Sequence, residues 1–249
     1  MDKKGEIDNL SKILKPETAI ITNISGAHFK NFNTLTDIAK AKAEIIENIL
    51  DDGNIILNKD DKFFNFLSNK ARKKRIKIIS FSSKKKADIF LLKTWRVKNF
   101  YRLKIIVKKR IFYFDTMHST NNFINNILAC ISLLSVLNLD LNKMKKKFIN
   151  FTIPSGRGDI KIVNKFKKRF KFIDESYNAN PLSMLSAIRN MNYYKRKNNS
   201  QKLVFLGDML ELGKKSKKFH KELSTLINRS DIDKVFVYGK YIRETFNLL

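Results

Sequence analysis

The first fifty residues contain two apolar patterns with different periods. Residues 19–22 form a short apolar-rich run, which predicts a β-strand. Residues 34–50 repeat apolar side chains at helical spacing, so we predict a helix there. Thr34 and Asp37 have the spacing of a capping box, and Gly53 follows the end of the pattern. The chain is therefore predicted to begin with a strand that leads through a loop into a helix.

The same patterns predict further strands and helices up to residue 152. Strands are predicted at 54–57 and, as several β-like runs, between residues 76 and 115. A long apolar helix is predicted at about 122–137, and a short basic helix near 141–148.

Strand and helix patterns alternate beyond the segment at 153–158, which is the best candidate for a domain boundary. The predicted order is strand 168–173, helix 181–191, strand 202–206, helix 216–228 and strand 234–238. Such alternation is typical of a parallel, doubly wound sheet. Ligands bind beyond the carboxyl ends of strands in these sheets. The sequence places polar residues there: Asn23, Asn58, Asp174, Glu175 and Asp208.

Lys42 interrupts the apolar face of the helix predicted at 34–50. At about 100° per residue it falls within one apolar stripe, whereas Lys40 points away. The stripe consists of Leu35, Ile38, Ile45, Ile46 and Ile49. A lysine on a buried face is costly unless it is paired, neutral or modified. Two interpretations follow: an ammonium group that reaches the rim of the stripe, or an amine with a lowered pKa that takes part in chemistry.

His28 lies in the loop between the first predicted strand and the helix that contains Lys42. Most single loop histidines are surface residues. This position after a strand also suits a metal or phosphate ligand, and spacing alone does not decide between the two roles.

Composition narrows the class of protein. The net charge of +28 would attract nucleic acids, but the lysines are scattered along the chain, alongside abundant Asn, Ile and Phe, as AT-rich coding produces. We therefore expect no specific nucleic-acid binding, and keep a basic nucleic-acid-binding protein as the alternative function from another class.

No transmembrane segment or secretory signal is evident in the sequence, which favours a cytoplasmic location. Cys130, the single cysteine, is expected to be buried.

Six segments, in order along the chain, resemble motifs of the Mur ligases. They are ITNISGAHFKNFNTLTDIAKAKAEII, LNKDD, NNILACISLL, PSGRGDI, IDESYNANPLSM and LGDMLELG. The ordered match runs from about Gly5 to Lys240. The last two segments are the most distinctive, and they resemble the member of the family that adds D-Ala-D-Ala.

The resemblance implies a fold and an activity. The implied fold is α/β, with a central Mur-ligase ATPase domain at 1–152 followed by a Rossmann-like C-terminal domain at 153–249. The implied activity is ATP-dependent peptide ligation in peptidoglycan precursor synthesis. In this reaction D-Ala-D-Ala is joined to UDP-MurNAc-tripeptide through an acyl phosphate.

The resemblance also implies metal-binding residues. His28 is similar to the Mg²⁺-contacting histidine of the family, and Lys42 to its carbamylated lysine. Carbamylation needs the free amine and turns a cation into an anionic oxygen ligand. This favours the functional interpretation of Lys42 over the simple rim position.

Five further residues are implied to lie near ATP: Asn126, Arg157, Glu175, Asn178 and Asn180. Asn126 falls in the helix motif, Arg157 in PSGRGDI, and the other three in IDESYNANPLSM. Asn180 also fits an N-cap with Pro181 at the first helical position. Part of the last motif is therefore expected to be structural.

One family motif does not occur in the sequence, the phosphate-binding loop G-x-x-x-x-G-K-[ST]. By the resemblance this loop and the first domain precede the region where the chain begins, and a final segment follows residue 249. We therefore expect both domains to be partial. Either the missing N-terminal part is supplied by another chain or by an earlier start of this one, or the chain is an inactive remnant.

Overall fold

The structure is a computed structural model that describes residues 3–25, 31–151, 153–196 and 200–249. Its internal contacts divide the chain into two compact units. Residues 1–24 and 34–151 form the first unit, and residues 25–33 and 152–249 form the second.

The first unit is built on a six-stranded sheet whose strands lie side by side in chain order. The first four strands run parallel, and the last two are antiparallel to their neighbours. The strands are β1 (Thr18–Ile21), β2 (Asn54–Asn58), β3 (Lys77–Ser82), β4 (Ile89–Val97), β5 (Phe100–Val107) and β6 (Arg110–Thr116).

Strand β2 shows how the parallel part of the sheet is buried. Ile55, Ile56 and Leu57 follow one another and are all completely buried, as expected for a strand covered on both faces. Gly53 directly precedes the strand. A Cβ atom there would lie 2.5 Å from the side chain of Ile49, so a larger residue would not fit.

The first unit also contains five helices within the described residues. They are α1 (Glu6–Leu14), α2 (Leu35–Lys42), α3 (Glu44–Glu47), α4 (Phe64–Lys73) and α5 (Asn121–Val136), followed by 3₁₀ turns at Leu141–Met144 and Lys147–Asn150. Helix α5 contributes Ile124, Leu128 and Ile131 to a core that also contains Phe81 and Phe114. The apolar pattern of α5 therefore places it on the sheet.

The predictions for this unit are largely confirmed. The strands predicted at 19–22, 54–57 and 76–115 and the helix at 122–137 are present, whereas α1 and α4 were not predicted. The helix predicted at 34–50 is broken at Ala43 into α2 and α3, and the helix predicted at 141–148 consists of two 3₁₀ turns. Cys130 is exposed, so its predicted burial is wrong.

The second unit contains two small sheets. Strands β7 (Asp159–Lys165) and β8 (Lys168–Asp174) pair antiparallel, and β9 (Leu203–Gly207) and β10 (Lys234–Tyr238) pair parallel. The helices are α6 (Pro181–Tyr193), α7 (Ser216–Ile227) and α8 (Arg243–Phe246), with a 3₁₀ turn at Gly213–Lys215.

Strand β8 differs from its prediction. The run at 168–173 was expected in a parallel sheet, but it forms a hairpin with β7, which was not predicted. Phe166 and Lys167 join the two strands with positive φ angles of 53° and 57°. Two consecutive residues with positive φ are typical of a tight hairpin turn. The pair Phe166-Lys167 differs from the Asn-Gly pair that usually marks such a turn in a sequence. The parallel pairing predicted for this unit is present between β9 and β10.

None of the helices in the described part of the chain is long and apolar enough to cross a membrane.

Candidate functional site

The loops that follow β1 and β2 are joined by hydrogen bonds at the carboxyl ends of the two strands. The Asn58 side-chain amide donates to the carbonyl oxygen of Thr22 at 3.0 Å. The backbone N–H of Ile24 donates to the Asp61 carboxylate at 2.7 Å. The polar residues predicted after these strands therefore lie in one place, as the parallel arrangement requires.

Lys42 points to this same place. It is the last residue of α2, whose start is fixed by the predicted capping box of Thr34 and Asp37. The Lys42 ammonium group donates to the carbonyl oxygen of Asn23 at 2.9 Å. Lys42 can therefore occupy the apolar face of its helix because its side chain extends out of the core toward the ends of the strands.

Burial of the Lys42 amine lowers its pKa, and the nearby negative charge of Asp61 opposes this shift without reversing it. Desolvation disfavours the charged form of an amine. At any given pH, therefore, a larger fraction of Lys42 is the free amine than for an ordinary exposed lysine. The free amine is the form that reacts with CO₂.

The surrounding donor atoms suit a hard cation only if Lys42 changes its charge. Among the residues described, no three His, Cys, Asp or Glu side chains stand close enough together to hold a metal ion. His28 lies outside the described residues. The oxygen donors near Lys42 are the Asn23 carbonyl and the Asp61 carboxylate, which are the ligand types that Mg²⁺ prefers. Carbamylation of Lys42 would add an anionic oxygen ligand. With Lys42 carbamylated, the residues present fit Mg²⁺.

The two aspartates that follow β2 have different functions. Asp61 bonds the loop after β1, as described above. Asp60 accepts hydrogen bonds from the Ser82 hydroxyl and the Ser83 backbone N–H, both at 2.7 Å. Asp60 therefore fixes the loop after β3, and Asp61 is the aspartate beside Lys42. The LNKDD segment contains both aspartates, but the sequence alone did not show that their roles differ.

In the second unit, two segments that are predicted to lie near ATP are joined by backbone hydrogen bonds. The Tyr177 N–H donates to the carbonyl oxygen of Gly156 at 3.0 Å, and the Gly158 N–H donates to that of Asp174 at 2.7 Å. The Arg157 guanidinium lies over the Tyr177 ring, 4.0 Å from its centre. This cation–π contact was not predicted, since nothing in the spacing of the two segments shows that they meet.

Glu175 lies in the same cluster. Gly158 has a φ angle of +94°, and a Cβ atom there would lie 3.1 Å from a Glu175 carboxylate oxygen. Desolvation, followed by the negative charges of Asp174 and Asp159, raises the pKa of Glu175. The two joined segments thus bring a guanidinium donor, a carboxyl group and an aromatic ring into one cluster.

The remaining predicted ATP-side residues are placed as follows. Asn180 caps α6, because its side-chain oxygen accepts the N–H of Ser183 at 3.0 Å. The expected structural role of Asn180 is therefore present. Asn178 is exposed in the loop before α6, and Asn126 is exposed on α5. Their contact with ATP, like that of Arg157 and Glu175, stays a prediction.

Asp208, one of the polar residues that follow a predicted strand, joins the ends of β9 and β10. Its carboxylate accepts the backbone N–H groups of Lys240, Tyr241 and Ile242 at 2.9, 2.9 and 2.7 Å. Gly239 has a φ angle of +139°, and a Cβ atom there would lie 2.4 Å from this carboxylate. Asp208 is therefore a structural link in the second unit.

His220 has a similar structural function. It is completely buried on α7. One ring nitrogen, Nε2, accepts the Met209 backbone N–H at 2.9 Å, and Nδ1 lies 2.7 Å from the carbonyl oxygen of Ser216. With Nδ1 as the donor, both nitrogens are satisfied by a neutral ring. The segment LGDMLELG is thus held by two sets of hydrogen bonds. One set is formed by the Asp208 carboxylate, and the other joins Met209 to His220.

Comparison with known families accounts for both units. The family model described as the Mur ligase middle domain matches residues 1–134, and that described as Mur ligase, glutamate ligase domain matches residues 160–246. The first match alone covers more than half of the 249 residues. The chain belongs to the Mur ligase family.

Within the family, the chain is similar to one kind of ligase. It is 32% identical to the UDP-N-acetylmuramoyl-tripeptide–D-alanyl-D-alanine ligase of Rickettsia prowazekii over 100% of this chain and 54% of that protein. A crystal structure of MurF from Acinetobacter baumannii is 25% identical, with a TM-score of 0.87 over 100% of this chain and 52% of the other. MurF from Thermotoga maritima in complex with ADP, at 22% identity and a TM-score of 0.81, shares the fold over 98% of this chain and 54% of the other. The chain spans about half the length of the curated relatives it matches.

Proposed function

We propose that this chain forms part of an ATP-dependent ligase that joins D-Ala-D-Ala to UDP-MurNAc-tripeptide in peptidoglycan precursor synthesis. The observation that carries the proposal is Lys42. It falls in a segment that resembles a Mur-ligase motif, its amine is partly buried with a lowered pKa, and it lies among oxygen atoms at the ends of parallel strands. The relatives named above support the choice of substrates.

In the proposed reaction, the tripeptide carboxylate attacks the γ-phosphorus of ATP, which gives an acyl phosphate and ADP. The amine of D-Ala-D-Ala then attacks the acyl carbon, a C–N bond forms, and phosphate leaves. The acyl phosphate would be lost to hydrolysis in water, so the site must exclude water between the two steps.

Lys42 is proposed to act as a carbamate. Its free amine attacks CO₂ and releases a proton, which leaves an anionic oxygen group in place of the cation. This group and His28 would hold Mg²⁺. When bound, the metal would neutralise charge that develops on the transferred phosphoryl group.

Arg157 and Glu175 are proposed to bind ATP, together with Asn126, Asn178 and Asn180. Arg157 is pre-oriented by its stacking on Tyr177. A guanidinium group held in one orientation loses less side-chain entropy when it binds a phosphate or ribose oxygen.

The complete enzyme is proposed to include residues beyond this chain. No phosphate-loop motif occurs in the 249 residues, and the chain matches about half of each relative. We propose that the phosphate loop and the other residues that this chain does not cover come from the same protein or from a second chain. The reaction is proposed to take place in the cytoplasm.

The proposal is tested by ADP release from a fusion in which this chain replaces the matched residues of the R. prowazekii relative. We expect sustained ADP release only when ATP, UDP-MurNAc-tripeptide and D-Ala-D-Ala are all present. ATP and the tripeptide without the dipeptide should give at most about one ADP per site, because the acyl phosphate then has no amine to consume it. The 249-residue chain alone should release little or no ADP. A fusion that folds and binds ATP but makes no tripeptide-dependent ADP would show that this chain is a remnant.

A further inference from the structure

Strands β4, β5 and β6 form an antiparallel part of the sheet with one covered and one exposed face. The covered face contributes Leu103 and Phe114, both completely buried, to the core that contains α5. Successive residues of a strand alternate between the two faces, and residues paired across strands share a face. Lys104 pairs with Lys93 on one side and with Tyr113 on the other, so these three side chains lie on the exposed face.

The exposed face carries aromatic and aliphatic side chains beside its lysines. Trp95 pairs with Arg102, and its ring meets that of Tyr113 edge to face, with 6.3 Å between the ring centres. Ile111 pairs with Ile106 on the same face. Tyr113 and Ile111 are 41% and 50% exposed. We define the outer face as the surface formed by Lys93, Trp95, Lys104, Ile111 and Tyr113.

The outer face carries positive charge without a counter-charge. Lys93 and Lys104 stand directly opposite each other on β4 and β5, where like charges repel. Neither lysine forms an ion pair within the described residues. Residues 89–116 contain eight lysines and arginines but one acidic residue, Asp115, whose carboxylate already accepts two hydrogen bonds from Arg102, at 2.6 and 2.9 Å. An anionic partner would therefore neutralise this surface.

We propose that the outer face binds the surface of a membrane that contains anionic lipids. Lys93 and Lys104 would contact lipid phosphate groups, which attract basic residues close to the surface. Trp95 and Tyr113 would lie at the level of the headgroups, where amphipathic rings are favoured. Ile111 would enter the boundary of the acyl chains. The protein would thus lie on the membrane surface through one sheet face, and the binding would be reversible.

The side chains of the outer face favour a membrane over two other occupants. Two copies of the chain that met through this face would bring four lysines together, and repulsion between like charges opposes such a pair. Single-stranded nucleic acids stack their bases on free aromatic ring faces. The edge-to-face contact of Trp95 with Tyr113 occupies one ring face, and Ile111 offers no stacking surface. An exposed aliphatic side chain beside Trp, Tyr and Lys suits lipid instead.

The test uses the 249-residue chain, lipid vesicles and the fluorescence of Trp95. Trp95 is the only tryptophan in the sequence, so its emission reports on the outer face alone. With vesicles of phosphatidylglycerol and phosphatidylcholine, we expect the chain to sediment with the lipid and the emission to shift to shorter wavelength. Lipids brominated near the headgroup end of their acyl chains should quench this emission. Vesicles of phosphatidylcholine alone should give neither sedimentation nor a shift.

Removal of the two facing charges, by Lys93→Gln together with Lys104→Gln, should weaken binding to the anionic vesicles at least about tenfold, because both charges lie at the lipid surface. The matched control is Lys84→Gln together with Lys85→Gln, two exposed lysines in the loop after β3. The control removes the same charge outside the outer face. It should weaken binding by less than about threefold, because salt screens charges that are distant from the lipid.

Equal weakening by the two pairs of substitutions would show attraction by net charge alone and would overturn the proposal. Vesicle binding without a change in Trp95 emission would also overturn it. Binding of single-stranded oligothymidylate that depends on Lys93 and Lys104, without vesicle binding, would identify nucleic acid as the occupant instead. Lys42 lies at the ends of β1 and β2, outside the outer face, and the vesicle experiment contains no ATP. Its outcome is therefore independent of ADP release by the fusion.

Discussion

Replacement of Lys42 by alanine is expected to lower tripeptide-dependent ADP release by the fusion at least about a hundredfold, since metal-assisted charge neutralisation contributes several kcal/mol. Alanine cannot form the carbamate that would hold Mg²⁺. It also removes the hydrogen bond to the Asn23 carbonyl oxygen. A short carboxylic acid such as acetate should restore part of the rate, because it places an anionic oxygen in the space that the side chain leaves.

The control for this prediction is Lys40→Ala, two residues away on the same helix. Lys40 is exposed, and its replacement should leave the rate close to that of the unchanged fusion. Incubation with ¹³C-bicarbonate should give a carbamate signal in the unchanged protein and in Lys40→Ala but not in Lys42→Ala. Full activity of Lys42→Ala would contradict the carbamate assignment.

Replacement of Asp208 by alanine is expected to destabilise the second unit by about 2–3 kcal/mol. Three backbone N–H groups would lose a charged acceptor, and hydrogen bonds to charged groups contribute more than neutral ones. In the full chain, the amides of Lys240, Tyr241 and Ile242 should exchange with deuterium at least about tenfold faster.

Glu222→Ala is the control for Asp208→Ala. Glu222 lies on α7, and its ion pair with Lys218 is long, at 4.0 Å, and on the surface, so the loss of Glu222 should change stability by less than about 0.5 kcal/mol. Equal exchange rates in Asp208→Ala and the unchanged chain would show that the carboxylate does not hold the loop.

The sequence predicted most elements of the first unit because their apolar periods are strong. The run Ile55 to Leu57 predicts a buried strand, and the apolar face of α5 predicts a core helix. Helix α1 was missed because its apolar stripe is short, and its orientation depends on hydrogen bonds with Glu44 and Asn48, which are distant in sequence.

The candidate site was only partly predictable for a similar reason. Lys42 stood out because it conflicts with the apolar face of its own helix, a local signal. Its contact with Asn23 and the separate functions of Asp60 and Asp61 depend on how the strand ends meet. The stacking of Arg157 on Tyr177 likewise depends on two loops twenty residues apart.

The most direct test of the proposed ligase follows an oxygen atom. UDP-MurNAc-tripeptide labelled with ¹⁸O in its terminal carboxylate is supplied to the fusion with ATP and D-Ala-D-Ala, and the products are analysed by mass spectrometry. We expect a product extended by D-Ala-D-Ala and one ¹⁸O atom in each phosphate released, because the carboxylate oxygen bonds to phosphorus and leaves with it. Phosphate without ¹⁸O, or ADP release without a product extended by D-Ala-D-Ala, would contradict the proposed ligase reaction.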